Sequence, residues 1–193
     1  MDIRAIKTEE IICKVFFELL QTMDFQKITV RMITEKARIN RTTFYKHYVD
    51  KYQLRDHLID YYLLDFTTHL NMEFITLQTL DTTEYRNKFK QNFIHLQKNK
   101  AAYMTLWNSS LLGRDFFNEM LEAGADKLEN KIKIESKISN EKKAYASWYA
   151  HLLIGNMLTS LRWWFDHDDT VSVDEIITLI ISHMTNGAAM SLS

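Results

Sequence analysis

Proline is missing from this chain of 193 residues, and glycine occurs four times. Average usage at this length would supply about ten prolines and thirteen glycines. Proline breaks helices, and tight hairpins lean on glycine, so a chain poor in both reads as helices joined by short links. Cysteine occurs once, at Cys13, which excludes an internal disulfide. It falls in an apolar helical stripe and reads as a small buried hydrophobe. No uncharged apolar run approaches the ~18 residues of a membrane span. The opening Met-Asp-Ile-Arg has no signal-peptide character, so a cytoplasmic location without membrane contact is expected. Phosphate-binding glycine loops, G-x-S-x-G and H-E-x-x-H are all absent. Accordingly no catalytic residue, cofactor or metal is expected, and the chain is not expected to be an enzyme. The compact run Asp166-His167-Asp168-Asp169 is expected to be a solvated loop between helices.

What is present supports a packed helical protein. Hydrophobic residues make up 46% and charged residues 25%. Apolar residues recur at three- and four-residue spacing through Ile12, Val15, Phe16, Leu19 and Met23. A short second helix carries Val30, Ile33 and Ala37 behind an N-cap at Thr29. A third carries Phe44 and Tyr48 behind Asn40. Asp50 with Gln53 fits a capping box opening a long helix through Leu54, Leu58, Tyr62, Phe66 and Leu70. Further helices are expected from Asp81–Glu84 onward, through Tyr103 and Trp107 to a closing Gly113, over 115–135, from about Ser139 to Phe165, and behind Ser172 and Glu175. The fold class is all-α with about nine helices. The expected division is a three-helix module at 1–49 and a helical body at 50–193.

Net charge is −1, but its distribution is uneven. Residues 24–51 hold seven basic and three acidic residues, a net +4 that leaves −5 elsewhere. Basic charge gathered on one small module is a footprint of DNA binding. Within it, residues 29–48 read TVRMITEKARINRTTFYKHY. Between the anchors Phe44 and Tyr48 the second short helix presents Arg41, Thr42, Thr43, Tyr45, Lys46 and His47. A recognition helix needs this arrangement: a few apolar anchors, with cationic and hydrogen-bonding side chains facing the major groove. Two ordinary amphipathic helices of a bundle are the plainer alternative.

This stretch resembles the TetR family of bacterial regulators. The likeness rests on Thr29-Val30-Arg31 through Ala37, then Asn40-Arg41-Thr42-Thr43-Phe44-Tyr45-Lys46-His47-Tyr48, then Lys51 and Leu54. It covers about residues 10–58. The later run Leu161-Arg162-Trp163-Trp164, followed by an acidic linker and a closing helix, is also similar. One departure is Arg38, which stands where the family usually has glycine in the turn. The resemblance implies base-edge contacts from Arg41, Thr42, Thr43 and Lys46. It implies phosphate contacts from Thr29, Tyr45, His47 and Lys51, with Arg38 near the DNA backbone.

The resemblance further implies a homodimer on a palindromic operator, built from a four-helix bundle of the last two helices. Leu153, Met157, Ser160, Leu161 and Trp164 are expected to face the partner, with Trp148, Leu152 and Gly155 inward. Ile177, Ile180, Ile181 and Met184 would join them from the last helix. A sensing member needs a mostly apolar cavity for a small apolar or aromatic ligand. Tyr62, Phe66, Phe93, Trp107, Trp148 and Tyr149 are its expected lining, with Asn92, His95, Asn108, His151 and Asn156 as polar groups. Stripes of this kind also serve as plain core. The implied function is a ligand-responsive repressor, with the long helix from Asp50 as lever. The alternative is a co-regulator that works mainly through a protein partner.

Overall fold

The computed structural model describes residues 3–70, 83–108, 113–135 and 145–186. Among these there are nine α-helices, one 3-10 turn and no strand. They are α1 (Ile3–Leu20), α2 (Val30–Ala37), α3 (Arg41–Phe44), α4 (Lys51–His69), α5 (Thr83–Lys98), α6 (Lys100–Leu106), α7 (Phe116–Glu135), α8 (Ala146–Phe165) and α9 (Val173–Asn186), with the 3-10 turn at Phe25–Lys27. No described helix is long and apolar enough to cross a membrane. The described residues fall into two compact units. One lies within Met1–Leu63 and Ala101–Phe117, the other within Leu64–Lys100 and Asn118–Ser193. Helix α4 contributes residues to both.

In the first unit α1 packs on α2, and α2 on α3. The apolar stripe of α1 buries Ile12, Val15, Phe16, Leu19 and Leu20. Phe25, Ile28, Ile33, Phe44 and Leu54 are fully enclosed beside it. Thr29 caps α2 as its sequence position requires, its hydroxyl accepting from the Met32 N–H at 3.2 Å. Asn40 takes the N-cap position of α3 without a side-chain cap bond. Helix α3 ends at Phe44, and a turn carries the chain on, with the His47 and Tyr48 N–H groups donating to Phe44 O. Asp50 Oδ1 accepts from the Tyr52 and Gln53 N–H groups, both at 2.8 Å, and Gln53 Oε1 accepts from Val49 N–H. Two of the orphan donors at the start of α4 are thereby satisfied.

In the second unit α5 and α8 both pack on α9. Phe66, Phe93, Met120, Leu128, Leu158, Trp164 and Phe165 are buried. Gly124 of α7 sits so close to its neighbours that a Cβ there would lie 3.0 Å from Ile154, 3.3 Å from Leu70 and 3.4 Å from Phe66. Ser172 and Glu175 close a capping box at the start of α9: Ser172 N–H donates to Glu175 Oε2 (2.8 Å) and Glu175 N–H to Ser172 Oγ (3.3 Å). The acidic run before it is not simply solvated. Lys100 Nζ and Gln97 Nε2 donate to Asp168 at 2.7 and 3.0 Å, and these bonds hold its carboxyl below the ordinary aspartate value. Trp164 Nε1 donates to Val171 O at 2.8 Å and ties the loop to α8.

Three expected boundaries differ or fall elsewhere. Helix α6 ends at Leu106, so Gly113 does not close it; Gly113 takes a left-handed φ of 67° shortly before α7. The expected starts at Asp81 and Ser139 lie outside the described residues.

Candidate nucleic-acid interface

The turn between α2 and α3 determines how α3 is presented. Arg38 occupies the left-handed region (φ 55°, ψ 43°), the one non-glycine among the described residues to do so. For an L-residue this costs about 1–2 kcal/mol. Ile39 N–H donates to Thr34 O at 3.0 Å, a Schellman-type closure that offsets part of that cost. Phe44 is fully buried, edge-on to Tyr45 (5.5 Å, 88°) and tilted against Tyr48 (5.9 Å). Tyr48 is buried too, and its hydroxyl donates to Glu9 Oε1 at 3.2 Å and lies 3.4 Å from Cys13 Sγ. Burial pushes the Cys13 thiol above its ordinary value, which makes it a poor nucleophile.

With those anchors inside, the polar side of α3 is outside. Arg38, Arg41, Thr42, Tyr45 and Lys46 are exposed and Thr43 is half-buried. Arg38, Arg41 and Lys46 have no ion-pair partner among the described residues. Other basic groups of the module do: Lys27 pairs with Asp24, Arg31 with Glu35 and Lys36 with Glu18. Among the cations of residues 24–46, those without an ion-pair partner therefore lie on the turn, on α3 and just after it. Thr29 is exposed as well, and its hydroxyl proton is free of the cap, where only the oxygen is used.

Two residues expected at phosphate sit in different surroundings. His47 lines a hollow of about 300 Å³ shared with Glu9, Asp56 and Asp60, where carboxylates oppose a phosphate. The His47 ring is half-buried and lies 6.3 Å from that of Tyr48. Lys51 Nζ donates to Phe25 O (2.9 Å), Gln26 O (3.1 Å) and Ile28 O (2.8 Å), and lies 4.5 Å from the centre of the Phe25 ring. All three ammonium donors are thus engaged at the C-terminal end of the 3-10 turn, where a cation satisfies carbonyls that lack intrahelical partners. Burial lowers the Lys51 pKa from its ordinary value.

This geometry of short capped helices has counterparts among known proteins. No family model matches the chain. A curated relative, the HTH-type transcriptional regulator YxbF of Bacillus subtilis, is 26% identical over 168 residues. The match takes in 83% of this chain and 41% of that protein, so the chain spans about two fifths of its relative's length. Among solved structures, a TetR transcriptional regulator of Streptococcus agalactiae superposes with a TM-score of 0.58 at 20% identity, over 94% of this chain and 95% of the other. The fatty acid degradation regulator FadR of Bacillus halodurans gives 0.63 at 14% identity, over 93% and 95%. The dihydroxyacetone kinase operon activator DhaS gives 0.58 at 17%, over 96% and 98%. The chain has the fold of TetR-type regulators.

Within this TetR-type fold the residues expected to line a pocket are divided between the two units. Tyr62 and Trp107 belong to the first unit, and Phe66, Phe93, Trp148 and Tyr149 to the second. Phe66, Phe93 and Trp107 are buried, Tyr62 and Tyr149 half-buried, and Trp148 is exposed. A groove of about 590 Å³ runs between α1 and α4, lined by Cys13, Phe17, Leu58, Tyr61 and Tyr62 among others. Only Tyr62 of the expected six contributes to it.

The face of α8 expected at a dimer interface is also turned. Met157, Leu161 and Trp164 are buried within their own subunit, as are Ile177 and Ile181 of α9; Met184 is half-buried. The exposed apolar residues are Tyr145 (67%), Trp148 (65%), Leu152 (52%) and Trp163 (46%). At 100° per residue these fall on one stripe with Gly155 and Thr159. Trp148 and Leu152, expected inside, are therefore on the outer face. The cause is that α8 is apolar all round, so its sequence carries no phase for the buried side.

Proposed function

We propose that the chain is a sequence-specific DNA-binding transcriptional regulator that acts as a homodimer. The observation that carries this reading is the segregation on α3 and its flanking residues: Phe44 buried, with Arg38, Arg41, Thr42 and Lys46 outward and these cations uncommitted. Arg41, Thr42, Thr43 and Lys46 are the base-reading residues, since the first turn of a recognition helix enters the major groove most deeply. Thr29, Arg38 and Tyr45 contact phosphate and set the register. Lys51 acts indirectly, by holding the carbonyls of the 3-10 turn that precedes α2.

One four-residue helix reads only a few base pairs, so a useful site needs two copies. The Trp148, Leu152 and Trp163 stripe of α8 is the surface on which the second copy docks. A small apolar or aromatic ligand in the groove between α1 and α4 would shift the population between spacings of the two recognition helices. The test is selection of bound sequences from a random duplex pool by the full chain. An inverted repeat should be enriched, with half-site centres about 34 Å or a multiple apart. A pool that remains random after repeated rounds contradicts the reading.

A further inference from the structure

Outside the DNA-reading module, three side chains with metal-ligating atoms converge. Asp65 and His69 are one turn apart on α4, so both project from the same face. His95 reaches them from α5. Its Nε2 lies 3.0 and 3.1 Å from the two Asp65 carboxylate oxygens, and His69 Nδ1 lies 3.2 Å from Asp65 Oδ1. The ligating atoms of the three residues are all within 4.8 Å of one another. The two imidazole rings are stacked, centroids 3.6 Å apart and 19° from parallel. Neither the DNA-reading role nor the dimer stripe involves these residues.

We propose that Asp65, His69 and His95 form a binding site for a first-row divalent transition-metal ion of the Zn2+ type. Two imidazoles and one carboxylate are a donor set that such ions favour over the hard ions Ca2+ and Mg2+. Ligands at 2.0–2.2 Å from a tetrahedral Zn2+ are about 3.3 Å from each other, close to the spacings between the Asp65 oxygens and each histidine. Asp65 is the least exposed of the three and His69 the most, which leaves the His69 side open for water or another ligand in the fourth position. Binding requires two local changes. The stacked rings must splay, because the lone pairs of parallel rings do not meet at one point. His69 Nδ1 must also leave Asp65 O, now 2.8 Å away, unless His69 ligates through Nε2. Both are side-chain rotations, and the most exposed residue makes the larger one. The bound ion would cross-link α4 to α5 within the second unit.

The site is tested without DNA, so its failure and the failure of the regulatory reading are separate results. The full chain is titrated with Co2+ while its visible d–d absorption is followed, and then with Zn2+ by calorimetry. One ion per chain is expected, with Zn2+ displacing Co2+. Asp65→Asn, His69→Gln and His95→Gln should each weaken binding by at least the 10–100-fold typical of outer-shell changes. His151→Gln, a histidine paired with Glu122 outside the cluster, should bind as the parent does. No saturable signal from the unaltered chain overturns the proposal, and this result needs no variant to fold. Equal binding by the parent and by the three cluster variants overturns it too, because the ions then sit elsewhere.

Discussion

Replacing Lys51 by methionine should lower the stability of the chain by about 2–3 kcal/mol, because hydrogen bonds to a charged group contribute about 1.5–3 kcal/mol each and these are only partly shielded from water. Three carbonyls, of Phe25, Gln26 and Ile28, lose a common donor in that variant. Water can replace some of those bonds at the exposed Gln26 side, which keeps the loss below the sum of three. For a protein of this size the change amounts to a fall of about 4–12 °C in melting temperature. Arginine should not rescue it, since a planar guanidinium cannot direct its donors at three converging carbonyls as an ammonium does. DNA affinity measured well below the melting point should retain its salt dependence, because an ammonium engaged by three carbonyls has no donor left for a phosphate. An unchanged melting temperature, with a slope of log affinity against log salt shallower by about one unit for each phosphate no longer neutralised, would put Lys51 on the DNA backbone instead.

The second large effect is expected in assembly. Trp148→Glu combined with Leu152→Glu places carboxylates on the outer stripe of α8. In an isolated subunit both positions are exposed, so folding should be nearly unaffected, as for surface substitutions generally. In a dimer built on that stripe, two copies of each carboxylate would be buried without partners, and several kcal/mol of association would be lost. Light scattering should then report a monomer with a melting curve that no longer depends on concentration. Leu161→Ala serves as the contrast. Leu161 is fully buried in its own subunit, so its truncation should cost about 2–5 kcal/mol of stability. A stable dimer in the double glutamate variant would remove the α8 stripe from the interface.

Much of this architecture is legible in the chain because it is written locally. Thr29, the pair Asp50 and Gln53, and the pair Ser172 and Glu175 are caps whose partners lie within four residues, and each forms. The left-handed turn at Arg38 is suggested only by the resemblance, since the family usually has glycine there and arginine itself carries no such signal. Other features depend on the phase of a helix or on distant partners. The rotation of α8 is illegible because apolar residues surround that helix. The acceptors of Lys51 lie 23–26 residues earlier in the chain. His47 follows a helix that ends sooner than its apolar spacing implies. The one local sign of the Asp65, His69 and His95 cluster is the Asp65-x-x-x-His69 spacing, and it becomes informative only when α5 brings His95 beside it.

Reading of DNA sequence is assigned to the outward side of α3. The decisive measurement titrates the parent, Arg41→Ala and Thr43→Ala against the selected operator and a scrambled duplex at one salt concentration. Each variant should lose about 1–3 kcal/mol of preference for the operator for each base edge it no longer reads, at definable positions in each half-site. Binding to the scrambled duplex should change little for Thr43→Ala, and for Arg41→Ala by no more than the loss of one charge. If both variants distinguish operator from scrambled DNA as well as the parent does, α3 is not the reading element.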